Sequence, residues 1–250
     1  MMRRAAGVLL LALTAPMACG AQAAEVTVLS AAAVQVPITE IAERFEKATG
    51  HRVRFEFSTA GGVEAKIRGG AKPDLVINAA ERLQALAAGG LVAPGARSLG
   101  VVRMGVAVRK GGKVPDIGSV AAFRGSLLAA ESIAYGDPAK GATTGIHFAG
   151  VLQRLGLQDA VRGKARLAAN GLEVMKLVAN GEAEIGITQI SEILHVKGDA
   201  LVGPLPEELQ LASNYSVAPL SANPQAPAAQ FAAMLLGEEG RARFKHAGFE

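Results

Sequence analysis

The sequence predicts an α/β protein of two domains, each a mostly parallel sheet flanked by helices. Short strand-like runs alternate with amphipathic helical runs along nearly the whole chain. No repeat, low-complexity tract or Ser/Gly-rich linker interrupts them. The same grammar restarts after a longer extended stretch at 101–110, which marks a second unit.

"EVTVLS" (25–30) reads as a strand. The segment "VPITEIAERFEKATG" then sets Ile38, Ile41, Ala42 and Phe45 at helical spacing, with Pro37 suited to the first turn and Gly50 to the stop. "HRVRFEFS" (51–58) alternates as a strand, "GGVEAKIRGG" (61–70) is a short helix between glycines, "PDLVINA" (73–79) is a buried strand and "AERLQALAAGG" (80–90) is a helix. In the second unit "SIAYGDP" (132–138), "EIGIT" (184–188) and "DALVGPL" (199–205) are extended, with helices near 144–155 and 172–180. "NYSVAPL" (214–220) is extended again, and helices at 224–236 and 238–248 close the chain. The long segments near 101–109 and 212–219 are the expected crossovers. They divide the chain into domain I, 24–102 plus 212–250, and domain II, 103–211.

Residues 1–23 read as a secretory signal peptide. Arg3 and Arg4 precede an apolar run from Ala5 to Ala15, Pro16 breaks it, and Ala21-Gln22-Ala23 supplies the cleavage pattern. A periplasmic location follows. Cleavage removes Cys19, the single cysteine, so the mature chain has no disulfide and no thiol chemistry. It also removes two of the 26 basic residues, leaving 24 against 22 acidic. With aromatics at 4% and no Lys/Arg-rich run, a nucleic-acid groove is not expected.

Motifs for chemistry are missing. There is no G-x-S-x-G, H-E-x-x-H, Walker loop or G-x-G-x-x-G, and His51, His147, His195 and His246 lack metal-ligand spacing. An enzyme, a metal site and a cofactor are therefore not expected. Several loops instead share one style, in which a strand ends, small or hydroxyl residues follow, and a helix begins. They are "SAAAV" (30–34), "STAGGV" (58–63), "GDPAKGATTG" (136–145) and "AANGL" (168–172); "ITQIS" (187–191) leaves a strand at Gln189. Helix N-termini carry free N–H groups and bind anions, and ligands of open parallel sheets gather at the carboxyl ends of the strands. Taken singly, each loop reads as ordinary capping. Together they predict a cage of donors for a small anion.

Nearly the whole mature chain resembles the periplasmic molybdate-binding proteins, solute-binding components of ABC transporters. The stretches that carry the resemblance are "VTVLSAAAVQVPITEIAERFEKATG", "FSTAGGVEAKIRGGAKPDLVINA", "AYGDPAKGATTGIHFAGVLQRLG", "GEAEIGITQISEI" and "FKHAGF". The resemblance implies a type II periplasmic binding fold. Two α/β domains joined by two crossover strands close over the ligand, and the last residues pack back onto the first domain. It implies a monomer that passes a molybdate- or tungstate-like oxyanion to an inner-membrane permease. The ligand-binding residues it points to are Ser30, Ala32, Ala33, Ser58, Thr59, Gly61, Thr143, Thr144, Leu172 and Gln189. Backbone N–H groups at Ala33, Gly61, Thr144 and Leu172 would donate. Where the family places two serines and a tyrosine as donors, this chain has Ala33, Gly61 and Gln189. The enlarged site also suits a small organic anion, a carboxylate or phosphate ester, with Lys140 or Arg103 as counter-charges. A ligand sensor and a secreted enzyme are the other readings.

Overall fold

Strand β1 (Glu25–Ala31) ends in a 3-10 turn, Ala32–Val34, that runs directly into helix α1 (Gln35–Thr49). Ile38, Ile41, Ala42 and Phe45 are buried on one face of α1 at the spacing read from the sequence. Gly50 stops the helix at a φ of 74°, a left-handed conformation glycine adopts freely, and its N–H caps the Glu46 carbonyl. Strand β2 (Arg52–Ser58), helix α2 (Ala60–Arg68), strand β3 (Leu75–Ala79) and helix α3 (Ala80–Ala88) continue the alternation. The 13-residue strand β4 (Arg97–Arg109) follows.

The second unit runs through α4 (Val120–Ala129), β5 (Ile133–Gly136), α5 (Thr143–Arg154), α6 (Gln158–Arg162), β6 (Ala165–Ala168), α7 (Gly171–Ala179), β7 (Ile185–Gln189), the short α8 (Ile190–Ile193) and β8 (Asp199–Pro204). Strand β9 (Ala212–Pro219) and helices α9 (Ala226–Leu236) and α10 (Glu238–His246) complete the chain. Helix α4 is an addition to the elements that periodicity predicts. Its "VAAFRGSLLA" carries no clear polar stripe; the signal is Ser119, whose side chain accepts from the Ala122 N–H at 3.1 Å. This computed structural model describes residues 23–196 and 198–250, so residues 1–22 of the expected leader lie outside it.

Two parallel cores are bordered by antiparallel strands. β2, β1 and β3 pair in parallel, as do β6, β5 and β7. The first half of β4 pairs with β9, from Arg97↔Val217 to Arg103↔Ala212, and the second half pairs with β7 and β8. Strand β4 thus belongs to both sheets, and β9, which pairs with β3 and β4, starts opposite Arg103 and carries the chain back to the first.

Each sheet is covered on both faces, so its strands are apolar on both sides. In β1, Val28 packs with Ile38, Phe45, Phe231 and Phe244, while the next residue, Leu29, packs with Val63, Val76 and Leu83. In the second sheet, Phe123, Phe148 and Val151 fill one face and Val174, Met175 and Val178 the other. The C-terminus returns to the first sheet. Val101 and Glu250 exchange backbone hydrogen bonds at 2.9 and 2.8 Å, and Phe249 is buried against Phe244 and Tyr215. Among the described residues no helix is long and apolar enough to cross a membrane.

Candidate functional site

The carboxyl ends of the parallel strands of both sheets meet around one half-open cleft. Its walls are Ala31–Ala33 after β1, Thr59 and Ala60 at the start of α2, Ala142–Thr144 at the start of α5, Asn170 and Gly171 at the start of α7, Gln189 and Glu192 after β7, and Tyr215 on β9.

The helix starts are not equivalent. Thr59 accepts from the Gly62 N–H at 2.9 Å and Asn170 from the Glu173 N–H at 3.0 Å, so α2 and α7 cap themselves. Ala31, before the 3-10 turn, and Ala142, before α5, have no side-chain cap. Their methyl groups leave the first-turn amides without a competing oxygen, which suits an outside acceptor. Thr143 Oγ1 in the same wall is buried and has no hydrogen-bond partner.

Contacts between the two sheets' loops flank the cavity. Thr59 Oγ1 donates to the Lys140 carbonyl at 2.6 Å and the Gly61 N–H to the Gly141 carbonyl at 3.2 Å. Ser191 Oγ donates to the Ala33 carbonyl at 2.8 Å in a buried position. A Cβ on Gly61 would stand 3.0 Å from Gly141 Cα, so the two glycines allow the backbones to touch.

The chemically distinctive group is Glu192. It is 5% exposed, and its Oε2 accepts from Thr188 Oγ1 at 2.5 Å and from the Gln189 N–H at 3.4 Å. The Gly171 N–H at the start of α7 also bonds it. These donors favour the carboxylate, yet burial outweighs them and pushes the carboxyl up to about 7. Tyr215, 2% exposed, is pushed above the ordinary phenol range by burial and by the Glu192 charge, so it stays protonated and can donate. Gln189, 1% exposed, donates through Nε2 to Ser213 Oγ at 3.2 Å, and its Oε1 has no partner.

Of the residues expected from the sequence, Ala32, Ala33, Thr59, Thr143, Thr144 and Gln189 line the cavity. Ser30, Ser58, Gly61 and Leu172 do not. The Ser30 hydroxyl turns to the neighbouring Ala31 carbonyl at 3.1 Å, and Ser58 lies against Gly62. The Gly61 amide does not point inward, because it is spent on Gly141. At the start of α7 the lining residues are Asn170 and Gly171, and the Gly171 amide serves the protein's own carboxylate, Glu192. Lys140 and Arg103 are not in the walls; Lys140 is exposed and Arg103 pairs with Glu207. Glu192 and Tyr215 were absent from the expected set. The only sequence signal for Glu192 was an acid in the otherwise uncharged run "IGITQISEIL".

The sequence model for bacterial extracellular solute-binding proteins matches residues 26–250. The chain belongs to that family. A relative named aconitate isomerase, from a Pseudomonas species, is 32% identical over 246 residues, covering 96% of this chain and 92% of the relative. The molybdate-binding protein ModA of Azotobacter vinelandii is 34% identical over 181 residues, covering 71% of this chain and 69% of the relative. Among solved structures, the periplasmic molybdate-binding protein of Azotobacter vinelandii superposes with a TM-score of 0.75 at 23% identity, covering 90% of this chain and 98% of that one. The sulfate-binding protein SubI of Mycobacterium tuberculosis gives 0.71 at 15% identity, covering 90% of this chain and 86% of that one. The fold is therefore that of the two-sheet solute-binding proteins. In this chain the cavity combines uncapped helix starts with a buried carboxyl.

Proposed function

We propose that this protein binds a small organic polycarboxylate between two lobes, 24–102 with 212–250 and 103–211, and moves a proton within it, as an isomerase of aconitate-type acids. Glu192 carries this reading. A site that only captures a fully ionised oxyanion has no use for an ionisable carboxyl in its wall. A carboxyl that titrates at about 7 instead populates base and acid forms together near neutral pH, as a proton carrier must. The relative named aconitate isomerase, matched over nearly its whole length, supports the same substrate class.

The chemistry needs one base. Ionised Glu192 takes a proton from the methylene carbon next to the double bond. The electron pair left behind spreads over the allylic carbons and into an attached carboxylate. Glutamic acid then returns the proton to the other end of the allylic system, the double bond moves by one carbon, and its geometry is set anew. No atom is gained or lost, and no electron leaves the molecule. Tyr215, Thr143 and the uncapped amides after Ala31 and Ala142 are the donors for the carboxylates and for the charge that develops on them.

A second reading is favoured by the relatives named molybdate-binding. In it, the protein captures a molybdate-like oxyanion in the periplasm and hands it to an ABC permease. Titration calorimetry separates the two. Tricarballylate, the saturated and unreactive counterpart of aconitate, should bind, and molybdate should bind far more weakly. Tight molybdate binding with none of tricarballylate would overturn the first reading.

A further inference from the structure

We infer that the cleft reads a hydrogen-bond donor on its ligand, and that Gln189 is the residue that reads it. The inference rests on the carboxylate reading above and narrows it, from any polyanion to an acid that carries a hydroxyl or retains one acidic proton.

Two orphan polar atoms share the cavity wall. Thr143 Oγ1 and Gln189 Oε1 are both buried and both lack a partner in the protein. Their capacities differ. A threonine hydroxyl both donates and accepts, so a bare carboxylate oxygen satisfies it. An amide oxygen only accepts, and no carboxylate oxygen can satisfy it. The Gln189 amide is set with its nitrogen on Ser213, where Nε2 donates to Ser213 Oγ at 3.2 Å. The Tyr215 oxygen also benefits from that amide, which partly offsets the upward push on its phenol. Gln189 lines the cavity, and Oε1 is the end of its amide that has no partner in the protein. Glu192, when ionised, adds a second acceptor in the same wall.

The wall formed by Gln189 and Glu192 is thus rich in acceptors, whereas the uncapped starts at Ala31 and Ala142 are rich in donors. A ligand of matching polarity places carboxylate oxygens against the amides and an O–H against Gln189. A ligand without that O–H leaves a buried acceptor unpaired, which costs on the order of tenfold in affinity or more.

The test uses two matched pairs that differ by one hydroxyl, citrate against tricarballylate and malate against succinate, titrated calorimetrically at one pH. In at least one pair the hydroxy acid should bind about tenfold tighter or more. Gln189→Leu should erase that preference by weakening the hydroxy acid to the level of its partner. If Gln189→Leu does not fold, as judged by circular dichroism, Gln189→Met gives the same readout. Thr143→Val should weaken both members of a pair by a common factor. Equal affinities in both pairs, or a preference that survives loss of the Gln189 amide, would overturn the inference and leave the carboxylate reading standing. Binding of none of the four acids would overturn both.

Discussion

Glu192 occupies the space that a side chain at position 171 would need. A Cβ built on Gly171 falls 1.8 Å from Glu192 Oε2 and 2.2 Å from Thr188 Oγ1. The missing side chain lets the carboxyl lie on the start of α7 and take its amide, so the protein fills one of its own anion-binding positions. Gly171→Ala should therefore displace Glu192. Overpacking of this kind costs about 1–3 kcal/mol, read as a lowered midpoint in urea with an unchanged slope. The same variant should lose ligand binding.

Glu192 also sets a pH dependence. Its folded value, about 7, lies above the ordinary 4.5, so the folded state holds the proton more tightly than the unfolded chain. Stability should be highest below about 4.5 on this group's account, fall as pH rises towards 7, and then level off. The full swing is roughly 3 kcal/mol. Glu192→Gln, which cannot ionise, should flatten that part of the profile in urea titrations across the range. An identical slope in the variant would assign the dependence elsewhere.

The loops that produce the site were legible because their chemistry is local. Small residues between a strand and a helix, as in Ala31–Ala33 and Ala142–Thr144, signal exposed amides wherever the chain folds. Glu192 was not legible for the same reason. Three residues past a strand, an acid reads as an ordinary first-turn residue that complements the helix dipole. Its burial depends on Gly171, twenty-one positions earlier, and on Tyr215 from another strand. Gly61 failed in the opposite sense. Its place in the loop is legible from the sequence, but the partner that takes its amide, Gly141, comes from the other sheet. The strand–helix alternation, the two crossover strands and the docked C-terminus were readable, since they follow from periodicity and from resemblance over the full length, whereas the order of strands in the sheets was not.

The contacts between the loops of the two sheets can be probed at two seams. Ser191→Ala removes the buried hydroxyl bond to the Ala33 carbonyl and should cost about 1 kcal/mol of stability. Gly61→Ala brings a methyl to 3.0 Å from Gly141 Cα and should hold the loops apart. Small-angle scattering with saturating tricarballylate should show both variants less compact than the parent, with circular dichroism unchanged.

Tyr215→Phe removes a buried donor from the floor of the cavity while keeping the ring that packs edge-on to Phe249 at 6.3 Å. Affinity for tricarballylate should fall about tenfold, the worth of a hydrogen bond to a charged group. The melting midpoint without ligand should fall modestly, since the hydroxyl also meets the buried Gln189 amide.

The most direct measurement is proton NMR of cis-aconitate incubated with catalytic amounts of the protein. The parent chain should bring the cis and trans isomers to equilibrium, and Glu192→Gln should leave the cis acid unchanged while still binding tricarballylate. No interconversion by the parent chain, or undiminished interconversion by Glu192→Gln, would contradict the role given to this carboxyl.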